Sequence, residues 1–230
     1  MQQYTWVACA AYPGSTMTSR RASKDGKNST GTAMPSRTRL ATWGGSGSGT
    51  SWPDGLAESL LPHRRIRKGI SVKFQVPGIF GALSVRHNLT IALQHHLQGR
   101  SQAEEIARLL AFLNLADAAE VPAGNLSHGQ KQWLEIGMAI SLRPRLLLLD
   151  EPTAGMSPDE THATGEMVQR LNADGMTILA VEHDMDFVRQ VAHQVTVLHM
   201  GRIFAQGTIA EIMADERVAA IYLGQGYQHV

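Results

Sequence analysis

The chain has 230 residues, 43% of them hydrophobic and 18% charged, enough for one large α/β domain or two small ones with a buried core. No apolar run reaches 18 residues, which excludes a membrane-spanning helix; Cys9, the single cysteine, can form neither an internal disulfide nor a Cys-based metal site, so a cytosolic setting is expected. The net charge of +1 hides an asymmetry: residues 1–70 carry ten Lys+Arg against three Asp+Glu, and residues 71–230 carry 11 against 17. The basic arm shows neither helical nor strand spacing and no interleaved aromatic ladder, so nucleic acid is not expected as a partner. No charged segment followed by an apolar one opens the chain, and no cleaved secretory signal is expected.

In chain order, residues 1–61 are rich in Ser, Thr, Gly and Arg, with apolar residues occurring singly. Such a stretch buries too little apolar surface to offset the entropy of ordering it, and low order is expected there. Compact, periodic sequence begins near Ile70. Phe74-Gln75-Val76-Pro77 places a carboxamide at a strand end before a proline break. Ile106, Leu109, Leu110 and Leu113 recur at helical spacing after Ser101-Gln102-Ala103-Glu104-Glu105, which predicts an amphipathic helix with an acidic first turn. Residues 84–142 read as mostly helical.

Arg145-Leu146-Leu147-Leu148-Leu149-Asp150 has the pattern of a strand buried on both faces of a parallel sheet, with its C-terminal tip at an active-site edge. A helix over 158–173, a turn at Ala173-Asp174-Gly175 and an apolar strand Thr177–Val181 follow. Residues 184–193 read as helix, and Val195–Leu198 with Arg202–Ala205 read as strands joined at Met200-Gly201. This alternation predicts an α/β layered fold.

Four segments carry candidate chemistry. Asp150 and Glu151 stand at the tip of the leucine-rich strand, where an Asp can hold Mg²⁺ and a Glu can orient or deprotonate water; solvated acids at a strand end are the alternative. Leu126-Ser127-His128-Gly129-Gln130 runs from a small-residue turn into a helix, and is either an anion site or an ordinary Ser127 N-cap. Gln75 can reach a metal or a water. His183 ends the second buried strand and can donate to a phosphate oxygen. His95, His96, His162 and His199 carry no such context.

Taken in order, Gln75, Leu126–Gln130, Leu146–Glu151, Thr153–Pro158 and His183 resemble the Q-loop, signature, Walker B, D-loop and H-switch of ATP-binding-cassette (ABC) ATPases, over about residues 62–224. The resemblance implies an ABC-type P-loop NTPase core with a helical subdomain at about 84–142, within a partial ATPase domain spanning 62–230. It implies ATP and Mg²⁺ as cofactors, with Asp150 and Gln75 at the metal and Glu151, His183 and Gln75 as the catalytic set. Ser127, His128, Gly129 and Gln130 would reach the nucleotide of an opposing subunit. The stretch Leu126–Met138, with His128 replacing the usual glycine, resembles the ATPase subunits of urea-type importers, close relatives of the branched-chain amino-acid importers. The implied partners are a second ATPase subunit, membrane-embedded permease subunits and, indirectly, a solute-binding protein. The implied location is the inner face of the cell membrane.

The chain departs from that family upstream. A P-loop, G-x-x-x-x-G-K-[ST], cradles phosphates with backbone N–H groups and neutralises them with its lysine. No intact copy is present: Gly26-Lys27-Asn28-Ser29 is preceded by Arg21 where the leading glycine belongs, and Gly44-Gly45-Ser46-Gly47-Ser48-Gly49-Thr50-Ser51 has Thr50 where lysine belongs. The first strands and the P-loop are thus expected to be missing. An altered reading frame, an erroneous start or a decayed gene would account for residues 1–61. A non-catalytic pseudo-ATPase or frameshifted fragment is the alternative function. A DNA-repair or chromosome-type cassette is disfavoured because no long heptad segment interrupts the chain.

Overall fold

The computed structural model describes residues 5–10, 68–94 and 97–223. Six strands form one sheet: β1 (Thr5–Ala10), β2 (Ile70–Lys73), β3 (Leu146–Asp150), β4 (Thr177–Glu182), β5 (Gln194–His199) and β6 (Arg202–Gly207). The helices are α1 (Val85–Leu93), α2 (Gly99–Phe112), α3 (His128–Ile140), α4 (Pro158–Ala173), α5 (Met185–Val191), α6 (Ile209–Ala214) and α7 (Glu216–Leu223). The expected α/β class holds, and no helix among the described residues is long and apolar enough to cross a membrane.

Strand order across the sheet is β2-β3-β4-β1-β5-β6. β2, β3 and β4 pair in parallel, while β1 pairs antiparallel with both β4 and β5. β5 therefore runs in the direction of β4, and β1, lying between them, runs against both. The registers Trp6↔Glu182 and Ala10↔Ile178 put the start of β1 at the edge where β3 and β4 end. The chain leaves β1 at the opposite edge. Of the N-terminal stretch expected to have low order, Thr5–Ala10 alone is described, and it is a strand; the near-matches to a P-loop at 21–29 and 44–51 lie outside the described residues.

Local sequence accounts for most elements. The leucine run of β3 has Leu147 and Leu149 fully buried, as a strand covered on both faces requires. Ser157 caps α4 by accepting from the Glu160 amide, while the Glu160 side chain returns to the Ser157 amide, and Pro158 occupies the first turn; both devices favour a helix start. Met200 (φ 50°) and Gly201 (φ 73°) form a two-residue loop between β5 and β6, the geometry that matches strand twist in a tight hairpin. Helix α2 begins at Gly99, two residues before the expected polar start, so Glu104 and Glu105 fall beyond its first turn. Glu105 instead pairs with Arg108 on the same helix at 2.8 Å.

The core joins α1, α2 and α3 to the sheet through Leu89, Leu109, Leu113, Leu134 and Ile136, all fully buried. At about 1.5–3 kcal/mol for each large apolar side chain removed from water, this cluster fixes where α3 begins, and with it the position of Ser127–Gln130.

Candidate nucleotide site

The site is built at the C-terminal edge of three parallel strands. β3 delivers Asp150, half-buried, and the chain turns sharply at Glu151, whose φ of 45° lies in the left-handed region. For a non-glycine residue that conformation costs about 1–2 kcal/mol and persists where its surroundings over-determine it. Here the Glu151 amide donates to the Val181 carbonyl of β4 at 2.8 Å, and the Ala154 amide donates to the Glu151 carbonyl at 3.3 Å. The turn projects the Glu151 carboxylate toward the ends of β2 and β4.

Gln75, exposed just past β2, donates from Nε2 to Glu151 Oε2 at 2.7 Å. His183, just past β4, brings Nδ1 to 3.8 Å from Glu151 Oε1 and 3.6 Å from Glu182 Oε2. Those distances exceed a hydrogen bond and leave the largely exposed imidazole free to turn toward a ligand. Glu151 thus lies between a carboxamide and an imidazole supplied by the two flanking strands, with Asp150 beside it on β3.

Sequence reasoning assigned no role to Glu182, although its carboxylate organises this edge. It is buried and accepts from the Thr153 amide at 2.9 Å and the Thr153 hydroxyl through Oε1, and from the amides of His183 at 2.8 Å and Asp184 at 3.2 Å through Oε2. One side chain therefore sets both the loop after Glu151 and the backbone of His183. Its signal was its place at a strand end, where acids are commonly solvated. Asn88 does the same for the loop after Gln75. Fully buried, it accepts from the Phe80 amide at 2.8 Å and donates to the carbonyls of Phe80, Leu83 and Ser84.

The second candidate segment opens α3. Ser127 is its N-cap, accepting from the Gln130 amide at 3.1 Å, while Gln130 Oε1 accepts from the Ser127 amide at 3.0 Å. The imidazole of His128 lies 2.9 Å from the Ala154 carbonyl. Gly129 is held against Glu160: a Cβ there would lie 2.4 Å from Glu160 Oε1, closer than any side chain tolerates. Ser127, His128, Gly129 and Gln130 are thus packed, within one chain, against the loop that follows Glu151 and the start of α4.

Among the described residues no group of three or more His, Cys, Asp or Glu side chains forms a metal cage. Mg²⁺ is commonly held by one or two carboxylates together with substrate phosphates and water. Asp150, Glu151 and Gln75 fit the metal-and-water side of a nucleotide. The phosphate side has no glycine-rich cradle among the described residues. A loop that met the phosphates here would have to follow a strand running parallel to β3 and β4, and the strand beside β4 runs the other way.

Comparison with known proteins places the chain in a family. The family described as ABC transporter matches residues 46–154. The chain is 32% identical over 185 residues to the high-affinity branched-chain amino acid transport ATP-binding protein BraF of Pseudomonas aeruginosa, covering 73% of this chain and 72% of that one. It is 35% identical over 167 residues to the methionine import ATP-binding protein MetN 1 of Rhodococcus jostii, but spans only 49% of that protein's length. Among solved structures, the ADP conformation of MJ1267, an ATP-binding cassette of an ABC transporter, superposes with a TM-score of 0.61 at 30% identity, over 71% of each chain. A likeness of this extent in both sequence and fold means that the chain belongs to the ATP-binding cassette ATPases of ABC transporters.

Proposed function

We propose that this chain is the ATP-binding subunit of an importer for a small nitrogen-containing solute, urea or a branched-chain amino acid, lying on the inner face of the cell membrane beneath permease subunits. The urea side is supported by the resemblance of Leu126–Met138, with His128, to urea-type ATPases. The branched-chain side is supported by the likeness to BraF. The observation that carries the reading is the 2.7 Å contact from Gln75 to Glu151, with His183 approaching the other carboxylate oxygen: groups from two flanking strand ends meet the carboxylate at the tip of the strand between them.

ATP and Mg²⁺, when bound, supply an electrophilic phosphorus and neutralise the charge that develops on transfer. Asp150 and Gln75 would hold the metal, Glu151 would orient and deprotonate the attacking water, and His183 would donate to the terminal phosphate. Ser127, His128, Gly129 and Gln130 would serve the nucleotide of a second ATPase subunit. Phe74, Val76 and Phe80 stand exposed around Gln75, an apolar surface suited to a membrane-embedded partner; a solute-binding protein would act through that partner. If labelled urea and labelled leucine are both taken up unchanged by cells that lack this chain, the proposal fails.

A second reading, a pseudo-ATPase or frameshifted fragment with no phosphate cradle of its own, is favoured by one observation: β1 fills the place beside β4 in the opposite direction. On this reading Asp150, Glu151, Gln75 and His183 have no nucleotide of their own to serve, and the Ser127 segment completes a partner's site. The expected result is that the purified chain hydrolyses ATP no faster than its Glu151→Gln variant. Glu151-dependent turnover would overturn the second reading.

A further inference from the structure

β2 carries a lysine where its alternation faces inward. In Ile70-Ser71-Val72-Lys73, Ser71 and Lys73 are buried and Val72 is exposed, the reverse of what hydrophobicity alone dictates. Lys73 is among the largest fully buried side chains of the described residues. Its Nζ donates to the carbonyls of Asp150 at 3.1 Å and Glu151 at 3.3 Å, the two peptides that form the left-handed turn. Four carboxylates bear on the ammonium: Glu135 from α3, Asp150 and Glu151 from the β3 turn, and Glu182 from β4.

Glu135 completes the arrangement. It is buried, and its Oε1 accepts from the Gly78 amide, three residues past Gln75, at 3.1 Å. The Phe74 and Gly78 amides of the Gln75 loop both bear on this carboxylate. Burial lowers the Lys73 pKa and raises that of Glu135, and each charge partly offsets the shift of the other. Burying a charge is costly, and an apolar side chain of similar volume is often as good for stability. The observed ammonium binds the strained turn directly, and the Glu135 charge of α3 bears on it from beyond ion-pair distance.

We propose that Lys73 is a positioning residue: its ammonium clamps the left-handed Glu151 peptide, so aiming the Glu151 carboxylate at Gln75 and His183, and its charge steadies Glu135, which holds the Gln75 loop to the helix that begins after Ser127. The role in aiming a catalytic carboxylate rests on the function proposed above; the clamp itself does not.

Amide hydrogen exchange of the full chain without nucleotide tests it, comparing Lys73→Met and Lys73→Arg. In Lys73→Met, exchange at Gly78, Glu151 and Ala154 should rise at least tenfold. The paired amides within β3 and β4 should change less than twofold, and Lys73→Arg should return the three sites to within threefold of the parent. Unchanged exchange at the three sites, equal acceleration throughout the sheet, or an arginine variant that behaves like methionine would each overturn the proposal. Should the methionine variant not fold, lysine-selective ¹⁵N NMR on the unaltered chain decides. The Lys73 ammonium protons should exchange at least a hundredfold more slowly than those of exposed Lys68, and equal rates would refute the clamp. Because these measurements need no turnover, a chain whose hydrolysis is indifferent to Glu151 could still show the clamp, so the two ideas fail separately.

Discussion

The strand-tip edge and the start of α3 are two halves of the same family resemblance, and they are finished differently. At the strand tips the backbone is strained and pinned from behind by Lys73 and Glu182, while Gln75 and His183 remain exposed in front. At the start of α3 the polar groups are turned on one another: Ser127 with Gln130, His128 toward Ala154, Gly129 against Glu160. An edge built to meet a ligand invests its buried groups in support and leaves its reactive groups reachable. A helix start that satisfies its own amides must give up those bonds to meet any ligand.

This contrast can be broken at its strongest point by Glu182→Ala. Removing a buried carboxylate that accepts from three amides and a hydroxyl leaves those donors unsatisfied, and should cost about 3 kcal/mol, read as a lower urea midpoint at unchanged slope. The amide resonances of Thr153, His183 and Asp184 should shift while those around Ser127 stay in place. A loss below about 1 kcal/mol would show that the edge is not organised from behind.

Ser127→Ala sharpens the other half. It removes the cap acceptor of α3, and the expected loss is about 1 kcal/mol, with no displacement of Gln75 or His183. A much larger loss would mean that the α3 start and the strand-tip edge form a single unit.

The smallest effect lies away from both regions and serves as a control. The Arg217 guanidinium holds the Asp215 carboxyl down to about 2. Because the folded value lies below the ordinary one, this pair contributes stability above the ordinary carboxylate range and loses it as pH falls through about 2. Arg217 is exposed and Asp215 only half-buried, so the gain is slight. A carboxyl titration followed by NMR should show Asp215 returning toward its ordinary value in Arg217→Gln, with Glu151 and His183 signals unmoved.

Much of the fold was legible because burial and periodicity are local. The β3 leucine run, α4 at 158–173, β4 at 177–182 and the hairpin at Met200-Gly201 all lie where spacing, caps and turn residues put them. Short α6 and α7, with weak patterns, were not foreseen, nor was the strand at Thr5–Ala10, whose neighbours lie more than 160 residues away in sequence. In the site, Gln75, Glu151 and His183 stood out because each follows a strand end, and the structure brings those three together. Lys73, Glu135 and Asn88 did not, because a buried polar residue looks in sequence like an exposed one.

The sequence by itself determined the order of the motifs, the parallel strands that carry Asp150 and His183, and the absence of an intact G-x-x-x-x-G-K-[ST] segment, since each is written in residue type and short-range spacing. Only the tertiary structure decided which strand lies between β4 and β5, which way it runs, and which buried charges stand behind the Glu151 turn. Strand neighbours and the partners of a buried ion are chosen by contacts between residues far apart in the chain, and no local pattern records them.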